Sequence, residues 1–171
     1  MAVYEAREML AVLYLIKGDI EQAAILYKSL ALQFRSNYKY ANSATGLLQA
    51  TKHYTDVIEI GKNIWKLCQT RTSGLTKSDS LNINHICSCL GEAYSEQGQS
   101  KEAIEIFEKM IEENLLVQRH DYFFLLLGRN YEKEHNNENS VRCYRKVIEL
   151  TNTDASRKEA QERIIFLTKN K

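Results

Sequence analysis

The chain has 171 residues, of which 23 are basic and 22 acidic, and its formal net charge is +1. Nucleic-acid-binding domains and polybasic membrane anchors need clustered positive charge, so this balance argues against nucleic acid and membrane partners. The sequence contains no proline, and because proline is the strongest helix breaker, its absence predicts a chain that is helical almost from end to end.

The first predicted helix contains an apolar run, MLAVLYLI, at residues 9–16. This run is too short to span a bilayer and lacks the basic leader of a secretion signal, so a cytoplasmic location is expected. The sequence KGD at 17–19 predicts a turn, and Asp19 with Gln22 makes the capping-box pattern that starts a second helix. The four cysteines, which are expected to be reduced thiols in that compartment, are Cys68, Cys87, Cys89 and Cys143.

One series of residue types recurs at fixed offsets: large apolar, small, aromatic, turn, small, aromatic, large apolar. The three sets are Leu10, Ala11, Tyr14, Gly18, Ala23, Tyr27 and Leu30; Leu90, Gly91, Tyr94, Gly98, Ala103, Phe107 and Met110; and Leu127, Gly128, Tyr131, His135, Ser140, Tyr144 and Val147. The offsets place the first members on one helix face, and the small residues let a second helix approach closely. Each set therefore predicts a helical hairpin, which must stack on its neighbours because it cannot bury its faces alone.

A degenerate hairpin of the same kind is predicted for residues 38–68. Gly46 stands at its small position, Gln49 replaces its first aromatic residue, and His53 occupies the turn, as His135 does in the last set. Histidine tolerates the left-handed backbone of such turns better than most non-glycine residues do. The register of the second helix of this hairpin stays open by one residue.

The stretch LGEAYSEQGQSKEAIEIFEKMIEEN, residues 90–114, closely resembles the tetratricopeptide repeat, whose pattern is W-x2-L-G-x2-Y…G…A-x3-F…A…P. Residues 4–37 and 121–154 are similar to this pattern as well. We therefore expect an all-α fold, an α-solenoid of about four tetratricopeptide-like helical hairpins plus a C-terminal capping helix, in a single array over residues 1–171. The expected segments are hairpins at 4–37, 38–68, 81–114 and 121–153, a loop at 69–80 and a capping helix at 154–168. The residues of that last helix expected to cover the last hairpin are Ala160, Ile164, Ile165 and Leu167.

Proteins of this family use the first helices of successive hairpins to line a concave groove that takes a peptide or a helix of a partner protein. The resemblance therefore implies a protein–protein interaction adaptor or scaffold. The positions that it places in the groove are Met9, Val12, Ile16, Leu47, Thr51, His85, Glu92, Tyr122, Leu126, Arg129 and Lys133. The alternatives are a peptide-sensing regulatory receptor and a chaperone of this family for a secreted client.

The sequence lacks the common catalytic motifs: GLTKSDS at 74–80 has no second glycine for a phosphate-binding loop, and no H-E-x-x-H, G-x-S-x-G or C-x-x-C occurs. His85, Cys87 and Cys89 are the one cluster of potential metal ligands. Residues two apart on a helix point to different sides, so these three side chains are not expected to converge on zinc. We therefore expect packed thiols, no metal, no cofactor and no enzymatic activity.

Every residue from Met9 to Ile16 is apolar or aromatic, although the outer face of a terminal repeat is usually polar. We therefore expect Met9, Val12, Leu13 and Ile16 to be covered by a second copy of the chain through self-association, by upstream repeats, or by the partner itself. The alternative is that the helices of the first two hairpins together hide these side chains.

Overall fold

The computed structural model describes residues 3–70, 74–112 and 120–169. Within these residues the chain forms nine α-helices and no strand, which confirms the prediction of an all-α fold. The helices are α1 (Val3–Ile16), α2 (Ile20–Gln33), α3 (Tyr38–Ala50), α4 (Tyr54–Thr70), α5 (Lys77–Glu96), α6 (Ser100–Glu112), α7 (His120–Lys133), α8 (Asn137–Leu150) and α9 (Asp154–Lys169). The chain divides into two compact units, Met1–Ala93 and Tyr94–Lys171, and each is described by itself.

The helices on either side of the predicted loop at 69–80 extend into it. Helix α4 continues to Thr70, and α5 already begins at Lys77. The start of α5 is capped reciprocally: Thr76 Oγ1 accepts a hydrogen bond from the Asp79 N–H at 3.1 Å, and Asp79 Oδ2 accepts one from the Thr76 N–H at 3.0 Å. Part of the loop, residues 71–73, and the predicted end of the third hairpin, residues 113 and 114, lie outside the described residues.

The turns of the hairpins depend on residues with a positive φ. Gly18 has φ +79° and Gly98 has φ +74°, as their place in the repeated series predicts, and His135 adopts φ +57°. At the first turn, Asp19 Oδ1 accepts a hydrogen bond from the Gln22 N–H at 3.1 Å, so the predicted N-cap of α2 is present. The repeated series therefore places three of the turns correctly.

The turn between α3 and α4 falls one residue earlier than predicted. Lys52, with φ +62°, is the left-handed residue, so the assignment of His53 to that position is wrong. The carbonyl of His53 instead accepts the Val57 N–H at 3.1 Å and so starts helix α4. With Lys52 at the turn, Thr45 and Leu48 take the small and aromatic positions of the first helix, and they are 0% and 2% exposed.

The same shift places Gly61 where the other hairpins have their second aromatic residue. A Cβ at Gly61 would lie only 2.9 Å from Leu90 Cβ, so no side chain fits there without displacing Leu90. The space that an aromatic ring fills in the other hairpins is thus filled by Leu90 from α5. This substitution explains why the second hairpin deviates from the pattern.

Helix α1 is joined to the rest of the first unit by polar contacts on its inner side. Arg7 Nη1 donates to Ser29 Oγ on α2 at 2.9 Å. Glu8 accepts hydrogen bonds from Lys39 Nζ and from the Tyr40 hydroxyl, both at 2.8 Å, on α3. The hydrogen bond from Lys39, followed by that from Tyr40, lowers the pKa of Glu8. These contacts keep one side of α1 against α2 and α3 and leave the other side open.

In the second unit, helices α7 and α8 pack closely at Gly128. A Cβ at this position would meet the Tyr144 ring at 3.0–3.2 Å, which confirms the prediction of a tight helix–helix contact there. Ser140 Oγ donates to the Gly128 carbonyl at 2.9 Å across the same contact. On α6, Ala103 and Phe107 are both fully buried, as the repeated series predicts.

Helix α9 packs on the last hairpin through one face only. Ala160 and Leu167 are buried in a cluster with Tyr144 and Val147, and Ile164 packs at the edge of that cluster. The prediction for Ile165 is wrong, because this side chain is 52% exposed. Positions 160, 164 and 167 lie on one side of a helix, whereas position 165 is rotated away from it.

Candidate protein-binding faces

Three of the predicted groove residues lie on α1 and are exposed. Met9, Val12 and Ile16 are 54%, 42% and 76% exposed. They are spaced three and four residues apart, so they form one strip along the helix, which we call the groove strip. The alternative that the first two hairpins hide these side chains is wrong, since Leu13 is also 53% exposed.

The next predicted groove residues of the first unit lie on α3 and α5. Leu47 and Thr51 are half-buried on α3. The Thr51 hydroxyl donates to the Leu47 carbonyl at 3.1 Å, so its proton is engaged within its own helix. Leu47 is therefore the more available of the two for an apolar contact with a partner.

Helices α3 and α5 also face each other through polar side chains. Gln49 Nε2 donates to the predicted groove residue Glu92, and Asn42 Nδ2 donates to Asn82 Oδ1 at 2.7 Å. Gln49 Oε1 is buried and has no hydrogen-bond partner within the described part of the chain. The predicted groove residues do not include this row of amides. The signal was present, because Asn42 and Gln49 are two helical turns apart on the same side of α3.

His85, another predicted groove residue, lies on α5 beside Gly46. A Cβ at Gly46 would be 3.2 Å from His85 Cε1, so the ring occupies the space that the glycine leaves. Desolvation by this packing lowers the pKa of His85, so the imidazole is neutral at pH 7. The residue can thus offer a neutral donor or acceptor to a partner, but not a positive charge.

In the second unit, the predicted groove residues on α7 have different environments. Tyr122 is half-buried, and its ring packs against Phe123 with the centroids 5.9 Å apart. Leu126 is only 6% exposed, and its carbonyl accepts a hydrogen bond from Asn130 Nδ2 at 2.8 Å. The prediction that Leu126 lines an open groove is therefore wrong, and its side chain belongs to the core.

The two basic groove residues on α7 are exposed but held in place. Arg129 donates to Glu159 Oε1 on α9 from Nε at 2.8 Å and from Nη2 at 2.5 Å. Lys133 Nζ donates to the Ser95 carbonyl at 3.1 Å. Arg129 is thus already paired with a carboxylate of its own chain. Lys133 keeps its ammonium group at a fixed position on the surface of the second unit.

The histidine–cysteine cluster on α5 has the features of packed thiols. Cys87 and Cys89 are 0% and 5% exposed, which confirms the prediction that they belong to the core. Cys89 Sγ lies 3.8 Å from His85 Nδ1, and burial raises the pKa of Cys89 to about 12. Among the residues that the structure describes, no group of three His, Cys, Asp or Glu side chains could hold a metal ion.

These environments predict a strong difference in thiol reactivity. Cys68 is half-buried, whereas burial raises the pKa of Cys89 to about 12 and that of Cys143 to about 11. At pH 8 iodoacetamide is expected to alkylate Cys68 at least about tenfold faster than either of the other two, because the thiolate is the reactive form. Peptide mass spectrometry after timed quenching measures the rates. Equal labelling of Cys89 and Cys68 in the folded chain would contradict this prediction.

In the described part of the chain, no helix combines the length and the apolar character needed to cross a membrane. The sequence profile of the family described as tetratricopeptide repeat matches residues 86–114 and 122–154. No curated protein sequence matches the chain.

Several solved structures are similar to the chain. MamA matches with a TM-score of 0.68 and 15% identity, over 99% of this chain and 85% of MamA. The Podosopora anserina putative kinesin light chain with nearly identical TPR-like repeats matches with a TM-score of 0.64 and 16% identity, over 96% of this chain and 85% of the other. Pseudomonas aeruginosa PilF matches with a TM-score of 0.61 and 16% identity, over 96% of this chain and 72% of PilF.

At these identities the structural matches show the fold, which is that of helices packed as tetratricopeptide-like hairpins. The profile match independently covers α6 and α8 together with most of α7 and the second half of α5. Repeats of this kind generally mediate protein–protein interactions. Residues 86–114 and 122–154 therefore match the tetratricopeptide repeat, and the described chain has the fold of helices packed as tetratricopeptide-like hairpins.

Proposed function

We propose that the chain is a non-enzymatic adaptor that binds a peptide or a helix of a partner protein through its first helices, in the cytoplasm. The observation that carries the proposal is the groove strip: Met9, Val12 and Ile16 are 54%, 42% and 76% exposed on one side of α1. Apolar side chains exposed in a row are typical of a surface that another protein covers. Apolar side chains spaced three and four residues apart on the partner would match this strip.

The polar groups near these first helices support the same function. Glu92 on α5 is held by Gln49 on α3, so its carboxylate has a fixed position before a partner arrives. Pre-positioned charges cost less side-chain entropy on binding than mobile ones do. We infer that the partner segment is apolar where it meets α1.

A matched pair of variants tests the role of the first helices. Met9 on α1 and Ile25 on α2 are each 54% exposed, so glutamate at either position stays hydrated in the free chain. The intact chain is used to capture partners, which are identified by mass spectrometry and purified. Met9→Glu is expected to weaken the measured affinity at least about tenfold, and Ile25→Glu to leave it within about twofold.

Adding Leu47→Glu to Met9→Glu is expected to abolish capture, because Leu47 is the available apolar residue on α3. Circular dichroism checks that each variant remains helical. If a folded Met9→Glu, Leu47→Glu double variant binds as tightly as the unchanged chain, the binding surface lies elsewhere and the proposal fails. Loss of binding in Ile25→Glu alone would place the surface on the second helices instead.

A further inference from the structure

Helix α1 carries a second exposed strip, on a different side from the groove strip. Its members are Val3, Ala6, Leu10 and Leu13, and we call it the outer strip. Val3, Leu10 and Leu13 are 77%, 43% and 53% exposed, and Ala6 is exposed as well. The spacing of three, four and three residues keeps all four side chains in one row along the helix, as in the seam of a coiled coil.

The equivalent positions of α5 show which kind of contact such a strip makes. Counted back from the turn glycine, Val3, Ala6, Leu10 and Leu13 before Gly18 correspond to Ile83, Ile86, Leu90 and Ala93 before Gly98. All four α5 residues are buried: 5%, 0%, 0% and 0% exposed. Leu90 packs so closely on Gly61 of α4 that a Cβ there would be 2.9 Å away. A neighbouring helix therefore packs against this row on α5. The outer strip of α1 has the same spacing, so a helix can pack against it in the same way.

Two properties of the outer strip suit pairing with an identical strip. It contains no charged side chain, so two copies bring no like charges together along their shared row. The positions 3, 6, 10 and 13 are symmetric about residue 8. When two copies run antiparallel across a two-fold axis, Val3 faces Leu13 and Ala6 faces Leu10. The small Ala6 then leaves room for the larger Leu10, so the row complements itself in size as well as in character.

We propose that the outer strip is a self-association face on which α1 of a second copy packs antiparallel, across a two-fold axis near residue 8. On each copy, this pairing buries the four side chains of the outer strip, which are exposed in the described chain. The 14 residues of α1 extend over only about 21 Å. This contact is smaller than a standard protein interface, so the dimer is weak and depends on concentration in the micromolar range.

The proposal is tested by sedimentation equilibrium of the intact chain over micromolar to several hundred micromolar concentrations. The mass of the unchanged chain is expected to rise from 19.8 kDa toward twice that value. Leu13→Glu is expected to raise the dissociation constant at least about tenfold. The matched control is Ile165→Glu on α9, because Ile165 is 52% exposed and Leu13 is 53% exposed. The control is expected to associate like the unchanged chain.

A charge-swap pair tests the two-fold register itself. In the proposed dimer Ala6 of one copy faces Leu10 of the other, so Ala6→Lys alone and Leu10→Glu alone each place like charges near the axis and are expected to stay monomeric. A 1:1 mixture forms a heterodimer with one lysine–glutamate pair and one unchanged alanine–leucine pair. The mixture is therefore expected to regain association, measured by the same sedimentation experiment.

A mass of 19.8 kDa at every concentration would overturn the proposal. In that case the occupant of the outer strip would be a helix of a different protein. Association that survives Leu13→Glu, or that the charge-swap mixture does not restore, would overturn it as well. Circular dichroism of each variant identifies loss of helix, and the mixture remains informative because both of its components must be folded to pair. The outcome is separate from the adaptor function, since Leu13 and Ala6 lie outside the groove strip and partner capture is measured independently.

Discussion

Replacing Tyr144 by alanine is expected to lower the free energy of unfolding by about 3–5 kcal/mol, the range for deleting a large buried aromatic side chain. Tyr144 is fully buried, its ring packs on Gly128, and it belongs to the cluster that holds Ala160 and Leu167 of α9. Urea denaturation followed by circular dichroism measures the change. Hydrogen exchange is expected to show faster opening of α9 first, because α9 loses the side chain that it packs on.

Tyr144→Phe is the control for this prediction. It keeps the ring and removes only the hydroxyl, which donates to Glu132 Oε2 at 2.8 Å. Burial raises the pKa of Tyr144 to about 12, so the hydroxyl is protonated and donating at neutral pH. The expected loss is about 0.5–1.5 kcal/mol, since Glu132 keeps its ion pair with Arg163. If Tyr144→Ala and Tyr144→Phe lower the free energy of unfolding by the same amount, packing of the ring is not what stabilises the last hairpin.

The second large effect is expected at Ala103. This residue is 0% exposed on α6, in the row that also buries Phe107 and Met110. Ala103→Leu adds three carbon atoms at a fully buried position, so it is expected to cost about 1–3 kcal/mol through overpacking. Glu105→Leu makes a similar increase in apolar character on the exposed face of the same helix and is expected to cost little. Equal melting temperatures for the two variants would refute the assignment of Ala103 to the helix–helix contact.

Most of the fold could be predicted because the repeated series consists of local rules. A small residue such as Ala103 marks a close approach, an aromatic one such as Phe107 fills the space beside it, and Gly98 makes the turn. These residues act within one hairpin of about 34 residues, so their spacing can be read along the sequence. In the three hairpins where the series is complete, the small residues and the second aromatic residue are buried and the turn residue is left-handed. In the first hairpin, Leu10 stays 43% exposed.

The second hairpin could not be placed in register because its packing partner lies outside it. Gly61 stands where an aromatic residue is expected, and the missing volume comes from Leu90 on α5, the first helix of the next hairpin. A pattern confined to one hairpin does not include that partner. The sequence pattern therefore favours Gly46 as the small residue and His53 as the turn, each one position too late for a turn at Lys52.

The candidate groove was predicted less well than the fold, because exposure depends on how neighbouring helices cross. Met9 and Leu126 each stand one residue before the first member of the repeated series, yet they are 54% and 6% exposed. The series identifies which side of a helix faces a groove, but it does not show how far an adjacent helix covers that side. The α3–α5 amide row was missed for a related reason, since polar residues between two helices look like ordinary surface residues in the sequence.

The packing of helices against their neighbours in the chain also determines how quickly this protein can fold. The helix pairs in contact within the described residues are consecutive or one helix apart, for example α1 with α2 and α7 with α9. Each such contact closes a loop of modest length, so little chain entropy is lost before it forms. Proteins dominated by contacts of this range fold within microseconds to milliseconds. We expect a newly synthesised chain to complete its first hairpins while the last ones are still being translated.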